Sequence, residues 1–216
     1  MQSNINKIRE FTMKNLKWII LFICLIGFLK LAEDVFNKEI MKGDIIGYNF
    51  ISKYLISDFV TPVAKVITNF GGAIFLISFT IISLIVVNNK KIGLCIMLNL
   101  MISSGLNILL KNILQRERPN EFRLIDESGY SFPSGHSMVS MAFYGFIIYL
   151  VYKYVENKKF KIFLIVLLSA LIVFIGTSRI YLGVHYTSDV LAGFLISISY
   201  LVIYTSIVYK FILEKN

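Results

Sequence analysis

Phe70-Gly71-Gly72-Ala73-Ile74-Phe75-Leu76-Ile77-Ser78-Phe79-Thr80-Ile81-Ile82-Ser83-Leu84-Ile85-Val86-Val87 carries no charged side chain. A helix crosses the ~30 Å hydrocarbon core of a bilayer with ~20 mostly apolar residues, so this run reads as a membrane span. Downstream, Ile92 to Leu110, Ser137 to Tyr152, Ile162 to Thr177 and Val190 to Tyr209 repeat the pattern. The runs at 137–152 and 162–177 reach spanning length only by extending into their polar flanks. Upstream, Trp18 to Ala32 is interrupted only by Lys30. The expectation is an all-α polytopic membrane protein with six transmembrane helices.

Composition agrees. Hydrophobic residues make up 56% of the chain and charged residues 16%, with a mean hydropathy of +0.72. A soluble domain carries about 25% charged residues, and a disordered chain is far less apolar and aromatic than this one. Cys24 and Cys95 both sit inside apolar runs. They read as small buried hydrophobes and not as a disulfide framework. Lys7, Arg9, Lys14 and Lys17 followed by a short apolar stretch resemble a secretory signal. No small-x-small cleavage site follows Leu29, so the run is read as a retained helix whose Lys30 snorkels to the interface.

An even number of spans puts both termini on one side. The loops of that side hold Lys7, Arg9, Lys14, Lys17, Lys90, Lys91, Lys153, Lys158, Lys159, Lys161, Lys210 and Lys215 against Glu10, Glu156 and Glu214. The remaining bases and acids cancel, so the whole net charge of +9 lies there. The positive-inside rule makes that side cytoplasmic, and the excess charge calls for no nucleic-acid partner. Between the first two spans, Tyr48, Ile51, Leu55, Phe59, Val63 and Val66 recur at three- and four-residue steps with Lys53, Asp58 and Lys65 between them. That predicts an amphipathic helix over Ile45 to Ile67, interfacial on the outer side or packed over the bundle. Gly71-Gly72 and Asn88-Asn89-Lys90-Lys91 read as punctuation at span ends. With no repeat, low-complexity tract or linker, residues 1–216 read as a single domain.

Three polar stretches fall at predicted outer helix ends: Lys111 to Pro119, Ser131 to Ser137 and Ser178 to Asp189. The chain's two histidines are both within them. Lys111 and Arg118 are about two helical turns apart and can share a face that attracts an anion, or simply snorkel. Pro119 ends that helix. Pro133-Ser134-Gly135-His136 precedes a span. Its unpaired N–H groups can bind an oxyanion with Gly135 allowing close approach, or Ser134 can be a plain N-cap. His136 there could pass a proton to a leaving group. His185 and Asp189 are one helical turn apart, either as a structural pair or as a nucleophile whose tautomer the carboxylate fixes. Arg179 adds a guanidinium suited to phosphate. Phe132, Tyr181 and Tyr186 read as interfacial aromatics. Arg116, Glu117, Glu121, Arg123, Asp126 and Glu127 read as a solvated loop. Taken together, three cations, an anion-binding turn, two histidines and one carboxylate at one membrane face suit displacement on phosphorus.

Lys-x6-Arg-Pro, Pro-Ser-Gly-His and Ser-Arg-x5-His-x3-Asp, in that order between Lys111 and Asp189, resemble the three-part signature of the type 2 phosphatidic acid phosphatase superfamily. The six-span pattern is similar to that family's bacterial integral-membrane branch. The resemblance implies that His185 is the nucleophile and forms a phosphohistidine. It implies that Asp189 orients His185 and that His136 is the general acid. Lys111, Arg118 and Arg179 would bind phosphate, with Ser134 and the Gly135 backbone completing the pocket; Ser178 belongs to the motif without an assigned role. It also implies a lipid phosphate substrate held beside membrane lipids, with undecaprenyl diphosphate first, phosphatidylglycerol phosphate second and phosphatidic acid a further option. No metal or cofactor is expected, because the fixed cations supply the charge a metal would bring. A transporter with an anion path is the competing class, but such sites lie near the bilayer midplane, usually with internal repeats.

Overall fold

The structure is a computed structural model that describes residues 2–39, 41–120 and 123–213, with side chains described apart from residues 2–14, 52 and 210–213. Among these it is all helical: α1 (Gln2–Phe36), α2 (Lys42–Tyr54), α3 (Val60–Asn69), α4 (Ala73–Val86), α5 (Lys90–Leu114), α6 (Gly135–Tyr154), α7 (Lys158–Tyr181) and α8 (Thr187–Leu213). Helices are the natural solution for apolar runs in lipid, because every backbone polar group finds its partner within the segment. Polar residues at the run ends start them. Asn89 caps α5 by accepting from the Lys91 N–H (3.1 Å), and Asn157 caps α7 by accepting from the Phe160 N–H (3.0 Å).

Helix α6 lies at the centre, packed by α5, α7 and α8, and α1 lies along α8. Phe143, Phe146, Leu76, Ile175, Tyr204 and Cys95 form the main core. Cys24 and Cys95 are both free and buried, as their apolar surroundings implied. Ile74, Ile85, Phe163, Val166 and Phe174 point outward and exposed, the arrangement that suits lipid tails as solvent.

Four described helical segments are long and apolar enough to cross a bilayer: α5, α6, α7 and Thr187–Tyr209 of α8. Phe70 to Val87 is not one straight helix. Helix α4 covers only Ala73–Val86, and it reaches spanning length only together with α3, across a bend of 44°. Gly71 sits in the bend, where a Cβ would come within 2.7 Å of Ile175 Cγ2 and Ser140 Oγ and 3.2 Å of His136 Cδ2. Only the bare backbone turns that close to α6 and α7. Trp18 to Ala32 lies inside α1, with Phe22, Ile23, Ile26 and Leu29 exposed.

The single amphipathic helix expected over Ile45 to Ile67 is corrected to two helices, α2 and α3, separated by residues 55–59. Pro62 explains the break. It has no N–H to donate backward and clashes with a helix continued through Asp58, whereas in the first turn of α3 that N–H has no partner to lose. Ser57 starts α3 by accepting from the Val60 N–H at 3.2 Å. Of the charges counted for topology, Glu214 and Lys215 lie outside the described residues, as do the side chains of Lys7, Arg9, Glu10, Lys14 and Lys210; Glu121 also lies outside them.

Candidate active site

The C-terminal ends of α5 and α7 and the N-terminal ends of α6 and α8 meet at one end of the bundle, with α2 and α3 laid against it. Local chemistry sets each approach. Gln115 takes a left-handed conformation (φ 45°) and closes α5 with its N–H on the Lys111 carbonyl at 3.0 Å. The loop that follows is tied down by the Ser131 N–H on the Arg116 carbonyl (2.8 Å) and the Leu124 N–H on the Leu182 carbonyl (3.0 Å). Ser134 caps α6, accepting from the Ser137 N–H at 3.5 Å and pairing with the Ser137 hydroxyl at 2.9 Å. Its own N–H donates to the Asp189 carbonyl at 3.0 Å, which joins the starts of α6 and α8. After α7, Gly183 at φ 71° reverses the chain, a backbone conformation that glycine adopts without strain. His185 stands in this turn.

Its surroundings determine its proton. Arg118 Nη1 lies 3.1 Å from His185 Nε2. A guanidinium only donates, so Nε2 must present its lone pair. Nδ1 then carries the hydrogen and faces Asp189 Oδ2 at 3.3 Å. Asp189 is fully buried (0% exposed) and His185 nearly so (3%). Burial pushes the imidazole pKa down to about 4, with the Asp189 carboxylate opposing that shift. At neutral pH His185 is therefore uncharged, with Nε2 available.

The cations surround it. Arg118 donates to the carbonyls of Gly129, Val184 and Ser128, each at 2.9 Å, as well as facing His185. Burial holds its pKa below the ordinary guanidinium value, and it still lies far above neutral as arginines do. Arg179 is 1% exposed. It donates to Thr68 Oγ1 of α3 at 2.8 Å and pairs with Glu127, while its Nε–H has no acceptor among the described residues. A buried donor without a protein partner is open to a further acceptor, for which a phosphate oxygen is suited. Burial opposes a charge on Glu127, yet the neighbouring Arg179 guanidinium holds that carboxyl below its ordinary value. Lys111 donates to the Tyr130 carbonyl and lies in the field of Arg118, Asp189, Glu127 and Arg179. His136, second residue of α6, is felt by Arg179, Glu127, His185 and Arg118. The predicted residues Lys111, Arg118, Ser134, Gly135, His136, Arg179, His185 and Asp189 thus converge. Ser178 does not join them, because its hydroxyl donates back to the Ile175 carbonyl of its own helix at 2.6 Å. The flank of Gly135 packs on α5, where a Cβ would lie 3.0 Å from Asn107 Oδ1.

Several loop assignments are corrected. Glu117, Arg123 and Asp126 are exposed as expected, but Arg116 is largely buried. Its Nη1 donates to Asp189 Oδ1 and to Ser188 Oγ, both at 2.7 Å, and its Nη2 donates to Asp44 Oδ2 at 2.6 Å. The acids lift the Arg116 pKa above its ordinary value despite burial, which acts the other way. Glu127 is drawn in by Arg179. The three aromatics read as interfacial are structural. Phe132 is buried and stacks on Phe28 with ring centres 5.9 Å apart. The Tyr181 hydroxyl pairs with Thr61 at 2.9 Å, and Tyr186 lies under the Arg116 guanidinium at 4.0 Å. Asp44 was not foreseen, since nothing in the helical pattern of residues 45–67 marks its neighbour as buried. Among the described residues, no three His, Cys, Asp or Glu side chains are grouped to hold a metal. A cleft of about 1150 Å³ opens between α1, α2 and the end of α5, lined by Phe36, Met41, Ile45, Arg116, Arg118 and Tyr186 among others. A smaller opening of about 330 Å³ lies over Arg118, Glu127 and Tyr130.

The chain is similar to several known proteins. The PAP2 superfamily model matches residues 92–213, which cover every motif position. Phosphatidylglycerophosphatase B of Bacillus subtilis (strain 168) is 32% identical over 174 residues, 77% of this chain and 84% of the relative. An undecaprenyl-diphosphatase of Sulfolobus acidocaldarius is 28% identical over 191 residues, 83% of this chain and 84% of the relative. The crystal structure of a transmembrane PAP2 type phosphatidylglycerolphosphate phosphatase from Bacillus subtilis superposes with a TM-score of 0.78 at 28% identity, covering 90% of this chain and 98% of that one. Aquifex aeolicus LpxE shares the fold, with a TM-score of 0.59 at 22% identity over 74% of this chain and 92% of that one. With a family match over more than half its length and apolar helices of spanning length, this chain is an integral membrane protein that belongs to the PAP2 superfamily of phosphatases.

Proposed function

We propose that the chain hydrolyses a lipid phosphate or diphosphate through a phosphohistidine on His185. The observation that carries this reading is the placement of His185, with Nδ1 3.3 Å from Asp189 Oδ2 and Nε2 3.1 Å from Arg118 Nη1 among the fixed cations. Lys111, Arg118 and Arg179 hold the phosphate oxygens, aided by the N–H groups at the start of α6 behind Ser134 and Gly135. Nε2 attacks phosphorus as the bond to the leaving oxygen breaks, and His136 gives that oxygen its proton. Asp189 stabilises the charge gained by the imidazole. His136 then takes a proton from water as the water oxygen attacks phosphorus. The N–P bond breaks, restoring His185 and releasing phosphate. The cations supply the neutralisation, so no step needs a metal. To accept phosphate, Arg179 exchanges Glu127 for the substrate.

The substrate is an amphiphile whose tail lies along the Phe36, Met41, Ile113 and Leu114 side of the larger cleft, whose remaining lining is largely polar. Phosphatidylglycerol phosphate is the first candidate, because the relative sharing 32% identity and the solved structure with a TM-score of 0.78 both bear that activity in their names. Undecaprenyl diphosphate is second, supported by the 28% identical relative. Release of phosphate from the two lipids and from phosphatidic acid, each in the same detergent, decides between them; turnover of none of the three would overturn the lipid phosphatase reading. In the membrane, α1, the bent α3–α4 pair, α5, α6, α7 and α8 make six crossings. The termini are cytoplasmic, as the charge bias favours, and the site faces outward.

A further inference from the structure

Arg116 lies between Lys111 and Arg118 in the chain, and its guanidinium is taken up by carboxylates and a hydroxyl. Its two terminal nitrogens reach two carboxylates from different helices, Asp189 on α8 and Asp44 on α2. Both carboxylates are buried, Asp44 at 5% exposure and Asp189 at 0%. Asp44 has a second task. Its Oδ1 accepts the Ser188 N–H at 2.8 Å and its Oδ2 accepts the Ser188 hydroxyl at 2.7 Å. That satisfies one of the orphan N–H groups at the start of α8 from outside the helix. Asp189 fills both its oxygens, Oδ1 from Arg116 and Oδ2 from His185 and the Tyr186 N–H (2.9 Å). The Tyr186 ring closes over the Arg116 guanidinium. Helix α2 is pressed onto this point, since a Cβ on Gly47 would fall 2.1 Å from Thr187 Oγ1.

We propose that Arg116 and Asp44 are a positioning unit, through which α2 fixes the carboxylate of Asp189 and, through it, the attacking orientation of His185. The terminal nitrogens of Arg116 are engaged by Asp44, Ser188 and Asp189, and the Asp44 oxygens by Arg116 and Ser188. The inference rests on the reading of His185 as nucleophile. Its energetic sense is that two buried carboxylates this close repel unless a cation is shared between them. Arg is suited to the task because its planar fork serves both at once, which an ammonium does not. Other groups also act on His185 and Asp189. Arg118 and Lys111 come from the end of α5 and its loop, Arg179 from α7, His136 from α6, and Glu127 from the loop before α6. The test must therefore move the Asp44–Arg116 pair and leave these in place.

Arg116→Gln, Arg116→Lys, Asp44→Asn, the double variant Asp44→Asn with Arg116→Gln, and His185→Ala are assayed as full-length protein in one detergent on the lipid phosphate that the wild type turns over. Arg116→Gln is expected to lower kcat about 10–100-fold, by analogy with the loss seen when an outer partner that orients a metal-ligating histidine is removed. KM should change less than kcat, because both terminal nitrogens of Arg116 are taken by carboxylates although the residue lines the larger cleft. The acid limb of kcat/KM should move to higher pH, since the two carboxylates now repel and a proton is taken up more readily. Adding Asp44→Asn should bring that limb back down, which loss of packing alone would not do. Arg116→Lys keeps the charge without the fork, so it should lower kcat with little movement of the limb. It also carries the test if Arg116→Gln fails to fold. A raised KM with unchanged kcat in the Arg116 variants would make Arg116 a phosphate ligand and overturn the proposal. Wild-type kcat in Arg116→Lys, or an acid limb unmoved in Arg116→Gln, would overturn it as well. Residual turnover in His185→Ala would instead sink the nucleophile reading on which it rests.

Discussion

Asp189→Asn removes one charge and almost no volume. In the protein, both oxygens of this buried side chain accept hydrogen bonds, Oδ1 from Arg116 and Oδ2 from His185 and the Tyr186 N–H. An amide has one accepting end and one donating end. If its oxygen stays toward Arg116, its NH2 faces the His185 Nδ1–H and the Tyr186 N–H, donor against donor. His185 can relieve that by carrying its hydrogen on Nε2, but Nε2–H then faces the Arg118 donor at 3.1 Å and has no lone pair with which to attack. If the amide is flipped, its NH2 faces Arg116 instead. A wrong tautomer imposed by Asp→Asn in the serine-protease triad costs about 10⁴ in kcat. The loss expected here is about 10³–10⁴, equivalent to about 4–5.5 kcal/mol of barrier. The stability cost is smaller, about 1–3 kcal/mol for the weakened charged hydrogen bond to Arg116. Phosphate release at saturating lipid and thermal unfolding in the same detergent separate the two. A folded Asp189→Asn protein retaining more than about a tenth of wild-type kcat would show that tautomer control through Asp189 is not what activates His185.

Three further outcomes follow from the site. Between about pH 4 and 6.5 the folded protein holds fewer protons on His185 than the unfolded chain does, because burial lowers its pKa to about 4 from 6.5. The stability tied to this group is therefore fully present above about pH 6.5 and is lost as pH falls toward 4, by about 3 kcal/mol; His185→Gln should flatten that part of the unfolding-versus-pH curve. Hydrolysis should survive prolonged chelator treatment, while vanadate, which mimics pentacoordinate phosphorus, should inhibit; activity lost in chelator and restored only by a divalent ion would require a metal. Single cysteines at Asn6 and Asp126 should label from opposite sides of intact spheroplasts, and labelling of both from one side contradicts six crossings.

The apolar runs and the three motifs are local signals, which is why they were legible. His185 and Asp189 are four residues apart and do meet, but the helix expected to run from Lys111 to Pro119 is corrected: α5 ends at Leu114, Gln115 is left-handed, and Arg118 reaches the site from the loop and not from a shared helix face. What escaped is long-range. Asp44 meets Ser188 across 144 residues, and no periodicity encodes that contact. Its local setting, Lys38, Glu39 and Lys42 close by, reads as an exposed polar connection. Arg116 was misassigned because a charged residue past a helix end usually faces water, and only the buried partners Asp44 and Asp189 draw it inward. The division of residues 45–67 into α2 and α3 could have been read from Pro62, whose missing N–H outweighs the continuous apolar spacing on either side. The bend at Gly71 depends on its closeness to Ile175 and Ser140, a property of packing and not of local pattern.

Rapid acid-free quenching of the enzyme during turnover of a lipid carrying labelled phosphate, followed by peptide mapping, reads the covalent intermediate. The label should sit on His185, be stable to alkali and labile to acid as a phosphoramidate is, and be absent in His185→Ala. It should accumulate in His136→Ala with a substrate whose leaving group needs no protonation, since forming the N–P bond then bypasses His136 while its hydrolysis still needs His136 to take a proton from water. Label on any other residue, or turnover with no label on His185 at any time point under quench conditions that preserve a phosphohistidine standard, would contradict nucleophilic catalysis by His185.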